Sequence, residues 1–426
     1  MRFSQLKTKT IQYKTPVVFV HGDHQTGNVW LHKADGTPGW APRFAEAGFT
    51  TFIVHRPYHT PGSNEQPPGC EQYGVVTKDI PKAAWQKYHT APRTKLDKVH
   101  WPAVETHCMW EGTGKAGDPK FEKFYAGTVP EYLDPQEQQY IGMANLAGFL
   151  KRLPHPAILI GHGSGATISW LAADSAPDCV AAIIAIEPTG PPFTNGWVKQ
   201  DGKQIFVPDF PDPTTLPLPS IRPYGLSDIP MGFVPPPVAP KDFTRELLQD
   251  SGYVDGVGGE ERFQPIPFIQ SIDPATKAPC YLQDDRYDPV RKLPNLQQIP
   301  QCVVTAGASH HGGYDYATVA FLRQAGVSVT HLNLGKDFGI GGNGHMLMLE
   351  QNSIEIADQM IRLAVRAADG SRDRPRHRYL APVAVMSEKK EGKMPEIGRP
   401  FELPEDVPPG RRFSRGFRSL NTANKA

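Results

Sequence analysis

Nine consecutive residues, Ile158-Leu159-Ile160-Gly161-His162-Gly163-Ser164-Gly165-Ala166, constrain this chain more than any other stretch. An apolar run suited to a strand buried on both faces ends in a cluster of small residues. A helix-like stretch, Thr167 to Ala173, follows at once. A strand that turns into a helix with no loop between them tolerates little bulk at the turn, and glycine supplies the backbone freedom. Such a unit belongs in a parallel sheet, whose strands are joined by crossover helices.

The same grammar repeats along the chain. Val17-Val18-Phe19-Val20 is a short buried strand ending in His21-Gly22-Asp23-His24. Thr50 to Val54 ends in His55-Arg56-Pro57-Tyr58, and Cys179 to Ile186 ends in Glu187-Pro188-Thr189-Gly190. Gln301 to Ala306 stops at Gly307, and Val327 to Leu334 alternates as a last strand. Helical spacing covers Trp40 to Ala47, Tyr316 to Ala325 and Met348 to Ala367. It also covers Pro135 to Leu153, with Tyr140, Met143, Ala144, Leu146, Ala147 and Leu150 on one broad face. Strands alternating with helices give an α/β fold class, a mainly parallel central sheet flanked by helices. With 426 residues and 39% hydrophobic content, the chain can bury a sizeable core.

Two insertions and a tail interrupt this pattern. Core segments are expected at 1–64, 135–193 (turn and Glu187) and 299–369. Residues 65–134 are irregular and rich in aromatics, among them Trp85, Tyr88, Trp101, Trp110, Phe121, Phe124 and Tyr125, and read as a wall over a site. Residues 194–298 are proline-rich and have the composition of a lid, with short helices expected at Lys241 to Asp250 and Asp285 to Leu293. From residue 370 to 426 arginines alternate with polar residues, which reads as a mostly disordered basic tail.

Several function classes fall away. A net charge of +1 gives no argument for nucleic acid or an anionic membrane as partner. Met1 to Lys7 has no apolar signal region, and no stretch of about 18 apolar residues occurs. The five cysteines (Cys70, Cys108, Cys179, Cys280, Cys302) are scattered without a C-x-x-C spacing, so reduced thiols in a soluble, cytoplasmic protein are expected. No metal-ligand spacing stands out, and the run Gly339 to Gly344 lacks the lysine of a phosphate loop, so no cofactor is expected. The partner is a small-molecule substrate; oligomeric state is not written in the composition.

Three chemically useful positions fall at the C-terminal ends of strands or in a late glycine-rich loop: the turn at 161–166, Glu187 and His345. That edge of an open α/β sheet is where ligands bind. A histidine can accept a proton, and a carboxylate can hold its tautomer and stabilise the imidazolium. Backbone N–H groups of the 22–23 loop (Gly22, Asp23) and of Ser164 would serve an oxyanion. His24, Tyr58 and His310 fall at the same edge as possible pocket residues. His310 and His311, with Asp315 nearby, form either a second acid–base group or a polar loop capping the next helix.

Many segments then match one pattern in order. They are His21-Gly22 with Gln25-Thr26-Gly27, Asp35-Gly36 with Pro38-Gly39-Trp40, and Gly117-Asp118-Pro119 with Phe124-Tyr125-Ala126. Glu187-Pro188 with Gly190-Pro191-Pro192-Phe193, Arg222-Pro223-Tyr224-Gly225 and Gly342-Asn343-Gly344-His345-Met346 complete the set. From about residue 15 to 367 the chain resembles a group of fungal and bacterial α/β-hydrolases related to esterases, whose triad acid is a glutamate after the strand following the nucleophile elbow. The resemblance implies an α/β-hydrolase fold with a lid built from insertions, an ester-like substrate, Glu187 as acid and His345 as base.

The chain departs from the group at the elbow. Members read His-Ser-Gln-Gly or similar; here the same positions read His162-Gly163-Ser164-Gly165. In that frame the elbow tip is Gly163. Sliding the frame by one makes Ser164 the nucleophile but puts His162 where a small residue is needed. Three readings stay open: an esterase-type hydrolase using Ser164 or an activated water, a lyase, isomerase or cyclase with His345 as general base, and a non-catalytic binding protein.

Overall fold

In this computed structural model the described residues are 1–6, 8, 10–57, 59, 82–91, 101–130, 135–194, 197–200, 203–206, 222–237, 265–286, 289–369 and 397–400. The chain opens with β1 (Arg2–Leu6) and β2 (Tyr13–Val20), then α1 (Trp40–Glu46) and β3 (Phe49–His55). The first insertion contributes α2 (Lys82–Trp85) and α3 (Pro119–Tyr125), and α4 (Pro135–Leu150) leads back to the core. There follow β4 (Ala157–His162), α5 (Ser164–Ser175) and β5 (Val180–Ile186). Two hairpins, β6 (Trp197–Gln200) with β7 (Lys203–Phe206) and β8 (Phe268–Ile272) with β9 (Pro279–Gln283), precede α6 (Pro294–Gln297). The core closes with β10 (Gln301–Thr305), α7 (Asp315–Gln324), β11 (Val329–Asn333), α8 (Leu334–Phe338) and α9 (Ser353–Ala368), and β12 (Ile397–Pro400) comes last.

Eight strands form the main sheet in the order β11-β10-β5-β4-β2-β3-β1-β12. Every pairing from β11 across to β3 is parallel; β1 is antiparallel to β3 and β12 antiparallel to β1. Side-chain alternation explains the layers. Val18, Val20 and Leu159 join one apolar cluster with Leu146 and Leu150 of α4, Leu171 of α5 and Phe321 of α7. Val17, Phe19, Ile158 and Ile160 join the other, with Phe44 of α1 and Ile356 and Met360 of α9. Each such buried side chain contributes about 1.5–3 kcal/mol, which is why strands that are apolar on both faces sit at the centre of the sheet.

The chain leaves β2 through α1 towards β3 and leaves β4 through α5 towards β5, on the other side. The C-terminal ends of β2 and β4 therefore flank a crevice at the point where strand order reverses, the usual ligand position in such sheets.

Six expectations need correction or lie wholly or partly outside the described residues. In α4 the buried face is Gly142, Leu146, Ala147 and Leu150, while Tyr140 is exposed; a Cβ on Gly142 would meet Ile168 Cδ1 at 2.9 Å, so the glycine is what lets α4 approach α5. The described part of 285–293 is not helical: Asp284 caps Arg286 N at 3.0 Å and Lys292 bridges to Val234. Residues 241–250 lie outside the described residues. Within the segment read as a disordered tail, β12 pairs with β1; the rest of that tail, Cys70 and Tyr58 also lie outside the described residues.

Candidate active site

At the end of β4 the backbone of Gly163 adopts φ 55° and ψ −125°, and α5 starts on the next residue. Gly163 N–H donates to the Ile186 carbonyl at 3.1 Å, and its carbonyl accepts from Ala166 N at 3.0 Å. Neighbouring glycines explain the turn. A Cβ on Gly161 would lie 2.6 Å from Ala166 Cα, and one on Gly165 2.6 Å from the His21 carbonyl. A Cβ on Gly163 would meet only Gly22 Cα, at 3.7 Å. The two crowded positions flank residue 163 symmetrically, so the tip of this turn is Gly163.

Ser164 faces elsewhere. Its hydroxyl donates to Asp23 Oδ1 and accepts from Arg56 Nη1 at 2.8 Å. The Arg56 side chain is 3% exposed, pairs with Asp23 at 2.9 Å and also donates to Gln138 Oε1. A buried cation and a carboxylate thus fix the serine oxygen. Among the described residues no acceptor meets the backbone N–H of Asp23 or of Ser164. Gly22 lies against the elbow, where a Cβ would stand 3.1 Å from the His162 carbonyl.

Glu187 follows β5 in a left-handed conformation, φ 44°, a strained choice for a residue with a Cβ. Its carboxyl is fully buried and accepts from Ala306 N at 2.8 Å and Ser309 Oγ at 2.9 Å. His345 Nδ1 lies 2.6 Å from its Oε2. His162 Nε2 donates to the His345 carbonyl at 3.0 Å, so the elbow strand steadies the histidine's backbone. The loop itself is tied down by buried Glu350, which accepts from Gly344 N at 3.0 Å, Asn343 Nδ2 at 2.8 Å and His107 Nε2 at 2.8 Å.

Imidazoles crowd round His345. Ring centroids lie 4.3 Å away for His162, 4.7 Å for His311, 5.0 Å for His89 and 5.4 Å for His310. Burial holds His89, His162, His310 and His345 well below the ordinary histidine value, with His311 adding to the effect on His345. Burial also pushes Glu187 up to about 8, against the opposing pull of His311 and its hydrogen-bond donors.

Structure brings Gly22, Asp23, Gly163, Ser164, Glu187 and His345 to one edge, with the His310 ring 5.4 Å from that of His345. His24 instead bonds through Nδ1 to the Val129 carbonyl at 3.2 Å and lines a cavity of about 310 Å³ with Trp85, Tyr125, Ala126, Thr128, Val129 and Pro130. Arg56, His89, His107, His162 and Glu350 were not singled out from sequence. Fifteen histidines are too many to sort by type alone. Arg56, at the end of a central strand, did carry a signal: a charge at a buried edge needs a partner.

One group of described residues has spacing suited to a metal ion: His310, His311 and His345 bring ring nitrogens within 4.8 Å of one another. Their chemistry fits poorly. Both nitrogens of His311 are engaged, Nδ1 by Asp315 and Nε2 by Tyr314, and its ring stacks within 4° of parallel on His345, so an ion in one ring plane lies out of the other.

No protein-family model matches the chain. It is 30% identical over 347 residues to a protein named probable secreted lipase phiG, from a fungal species (strain ATCC 74256), covering 81% of this chain and 80% of that one. Among solved structures, a novel bacterial esterase matches with a TM-score of 0.50 at 16% identity, over 86% of this chain and 85% of that chain, a likeness of fold. The word "secreted" in the relative's name stands against the cytoplasmic expectation; among the described residues no helix is long and apolar enough to cross a membrane. Sheet order, the elbow and a relative matched over four-fifths of both chains converge: this chain belongs to the lipase- and esterase-like group of α/β-hydrolases.

Proposed function

We propose that the protein is a hydrolase-family enzyme whose chemistry runs by general-base catalysis at His345, without a covalent intermediate on the elbow. One observation carries the reading: the elbow tip is a glycine, while the adjacent Ser164 hydroxyl is bonded to Asp23 and Arg56. His345, oriented by Glu187, takes a proton from a bound water in ester hydrolysis, or from a substrate carbon in lyase, isomerase or cyclase chemistry. The N–H groups of Asp23 and Ser164 stabilise the oxygen on which charge develops. A retained, strained Glu187 and its bond to His345 favour an enzyme over a binding protein, which needs neither.

The substrate is a small or medium apolar carbonyl or ester compound. Beside His89, which packs on His345, Trp85 helps wall a cavity of about 310 Å³ that supports the small size; its lining mixes His24 and Thr128 with Tyr125, Val129 and Pro130. The first insertion acts as cover, since His89 packs on His345 and Trp101 on His310 at 5.6 Å.

The test uses a fluorophosphonate probe and p-nitrophenyl butyrate. Wild-type protein should not label. Gly163→Ser should label and gain esterase activity, because the turn and the base are in place. His345→Ala should lower wild-type turnover about 100-fold or more. Labelling of the wild type that disappears in Ser164→Ala would sink the proposal and make Ser164 the nucleophile.

A further inference from the structure

A second buried carboxylate–histidine couple lies against the first. Asp315, the first residue of α7, is fully buried, and its Oδ1 accepts from His311 Nδ1 at 3.0 Å. Its other oxygen accepts from Thr305 Oγ1 at 2.7 Å. His311 Nε2 shares a hydrogen bond of 3.0 Å with the Tyr314 hydroxyl. The His311 ring stacks on His345 with centroids 4.7 Å apart. Both couples hang from the end of β10: Thr305 holds Asp315, while Ala306 N–H and the Ser309 hydroxyl hold Glu187.

Activating a water or a serine takes one such couple. Two in contact, where the elbow offers no nucleophile, can remove one proton and supply another in a single turnover. Their protonation differs in the direction this requires. His311 faces Asp315, Glu187, Tyr314, His310 and His345. Burial opposes its charge, yet the Asp315 carboxylate, joined by Glu187 when that is ionised, outweighs burial and raises its pKa, while burial holds His345 low. Titratable groups whose surroundings push them apart in this way divide into acid and base.

We infer that His311–Asp315 is the general-acid couple of this site, paired with His345–Glu187 as base, and that the substrate is a carbonyl compound with an acidic α-hydrogen. The inference rests on the general-base reading above. His345 Nε2 takes the α-proton, and the C–H electron pair forms the carbon–carbon double bond of an enolate. Its oxygen lies at the Asp23 and Ser164 N–H groups. The His311 imidazolium, through the Tyr314 hydroxyl bonded to it, delivers a proton to the far carbon of the conjugated system, giving a double-bond isomer. His345 ends as imidazolium and His311 as neutral imidazole. One proton passing back through solvent restores both, so no oxidant or reductant is consumed.

The probe is cyclohex-3-en-1-one, whose conversion to the conjugated enone is read by ultraviolet absorbance. Wild-type enzyme should isomerise it, and His311→Asn and His345→Ala should each lower kcat/KM about 100-fold or more. Asp315→Asn keeps the shape but removes the charge that favours the imidazolium. It should move the alkaline fall of the rate profile to lower pH, a shift that loss of folded protein does not produce. His311→Asn within threefold of wild type, or an unmoved alkaline limb in Asp315→Asn, overturns the acid couple and leaves the general base standing. So does a wild type that hydrolyses p-nitrophenyl butyrate through His345 yet leaves the enone untouched. Turnover of either probe unaffected by His345→Ala overturns the general-base reading itself.

Discussion

Glu187, fully buried, and His345, slightly exposed, are 2.6 Å apart, and on the proposed reading this pair decides when the site acts as a base. Burial raises the carboxyl to about 8. Below that pH the Glu187 carboxyl is protonated and donates to His345 Nδ1, which leaves the ring proton on Nε2; above it the carboxylate accepts from Nδ1–H and Nε2 is free. Base-dependent turnover should therefore climb about tenfold per pH unit from pH 6 and level near 8. In Glu187→Gln the carboxyl is gone and so is its titration, leaving a slow rate whose ascending limb no longer lies near 8. A rate–pH profile measured on both proteins decides the matter, and a flat wild-type profile from pH 6 to 9 would refute it. Ser164 teaches the complementary lesson. Its place in the sequence suggests a nucleophile one step late, but the buried Arg56 guanidinium and Asp23 claim its oxygen. That claim comes from β3 and from the loop after β2, far apart in sequence, and no reading of residues 158–166 reveals it.

At the scale of elements, the elbow is a contact between backbones. α5 folds back on the end of β4 and approaches the end of β2 so closely that a methyl group at 161 collides with Ala166 and one at 165 with Val20 and His21, all through main-chain atoms that cannot swing away as a side chain would. Gly161→Ala and Gly165→Ala should each cost more than about 3 kcal/mol and lower the melting temperature sharply. Gly163→Ala has room for its methyl and pays only backbone strain, about 1–3 kcal/mol. Thermal melts of the three variants test the order; a Gly163→Ala protein less stable than Gly165→Ala would refute it. This ordering was legible in the sequence, because small residues two before and two after a turn mark its centre. So were the buried strands, whose apolar runs have no other use, and the alternation of strand with helix. The β6–β7 and β8–β9 hairpins were not: they lie in a proline-rich stretch where two-residue periodicity is too short to stand out. The network of His107, Asn343 and Glu350 was hidden for a different reason. It joins the first insertion to the His345 loop across 243 residues, and each member alone looks like an ordinary polar residue.

For the whole molecule, the unusual feature is how much imidazole is buried. His21, His89, His162 and His310 are all held well below the ordinary value, with burial as the leading cause. Each stays neutral in the folded state but gains a proton near pH 6.5 once unfolded. Below 6.5 the unfolded chain thus binds more protons than the folded one, so stability falls as pH falls, by up to about 1.4 kcal/mol per histidine per pH unit. Glu187 works in the opposite sense. Its raised pKa means that the folded state holds the extra proton between about 4.5 and 8, so its contribution grows as pH falls. With His345 counted, five lowered imidazoles stand against Glu187 and the raised His311, which leaves the acid side destabilising. Denaturant midpoints should be close to level from pH 7 to 8 and decline steeply between 6.5 and 5. His21→Asn should soften that decline, because His21 lies at the end of β2 with Gly22 and Arg56 N as its hydrogen-bond partners, both of which an amide can engage. A midpoint that stays constant down to pH 5 would mean that these rings take up protons without unfolding, and that the neutral cluster around His345 is not a condition of the fold.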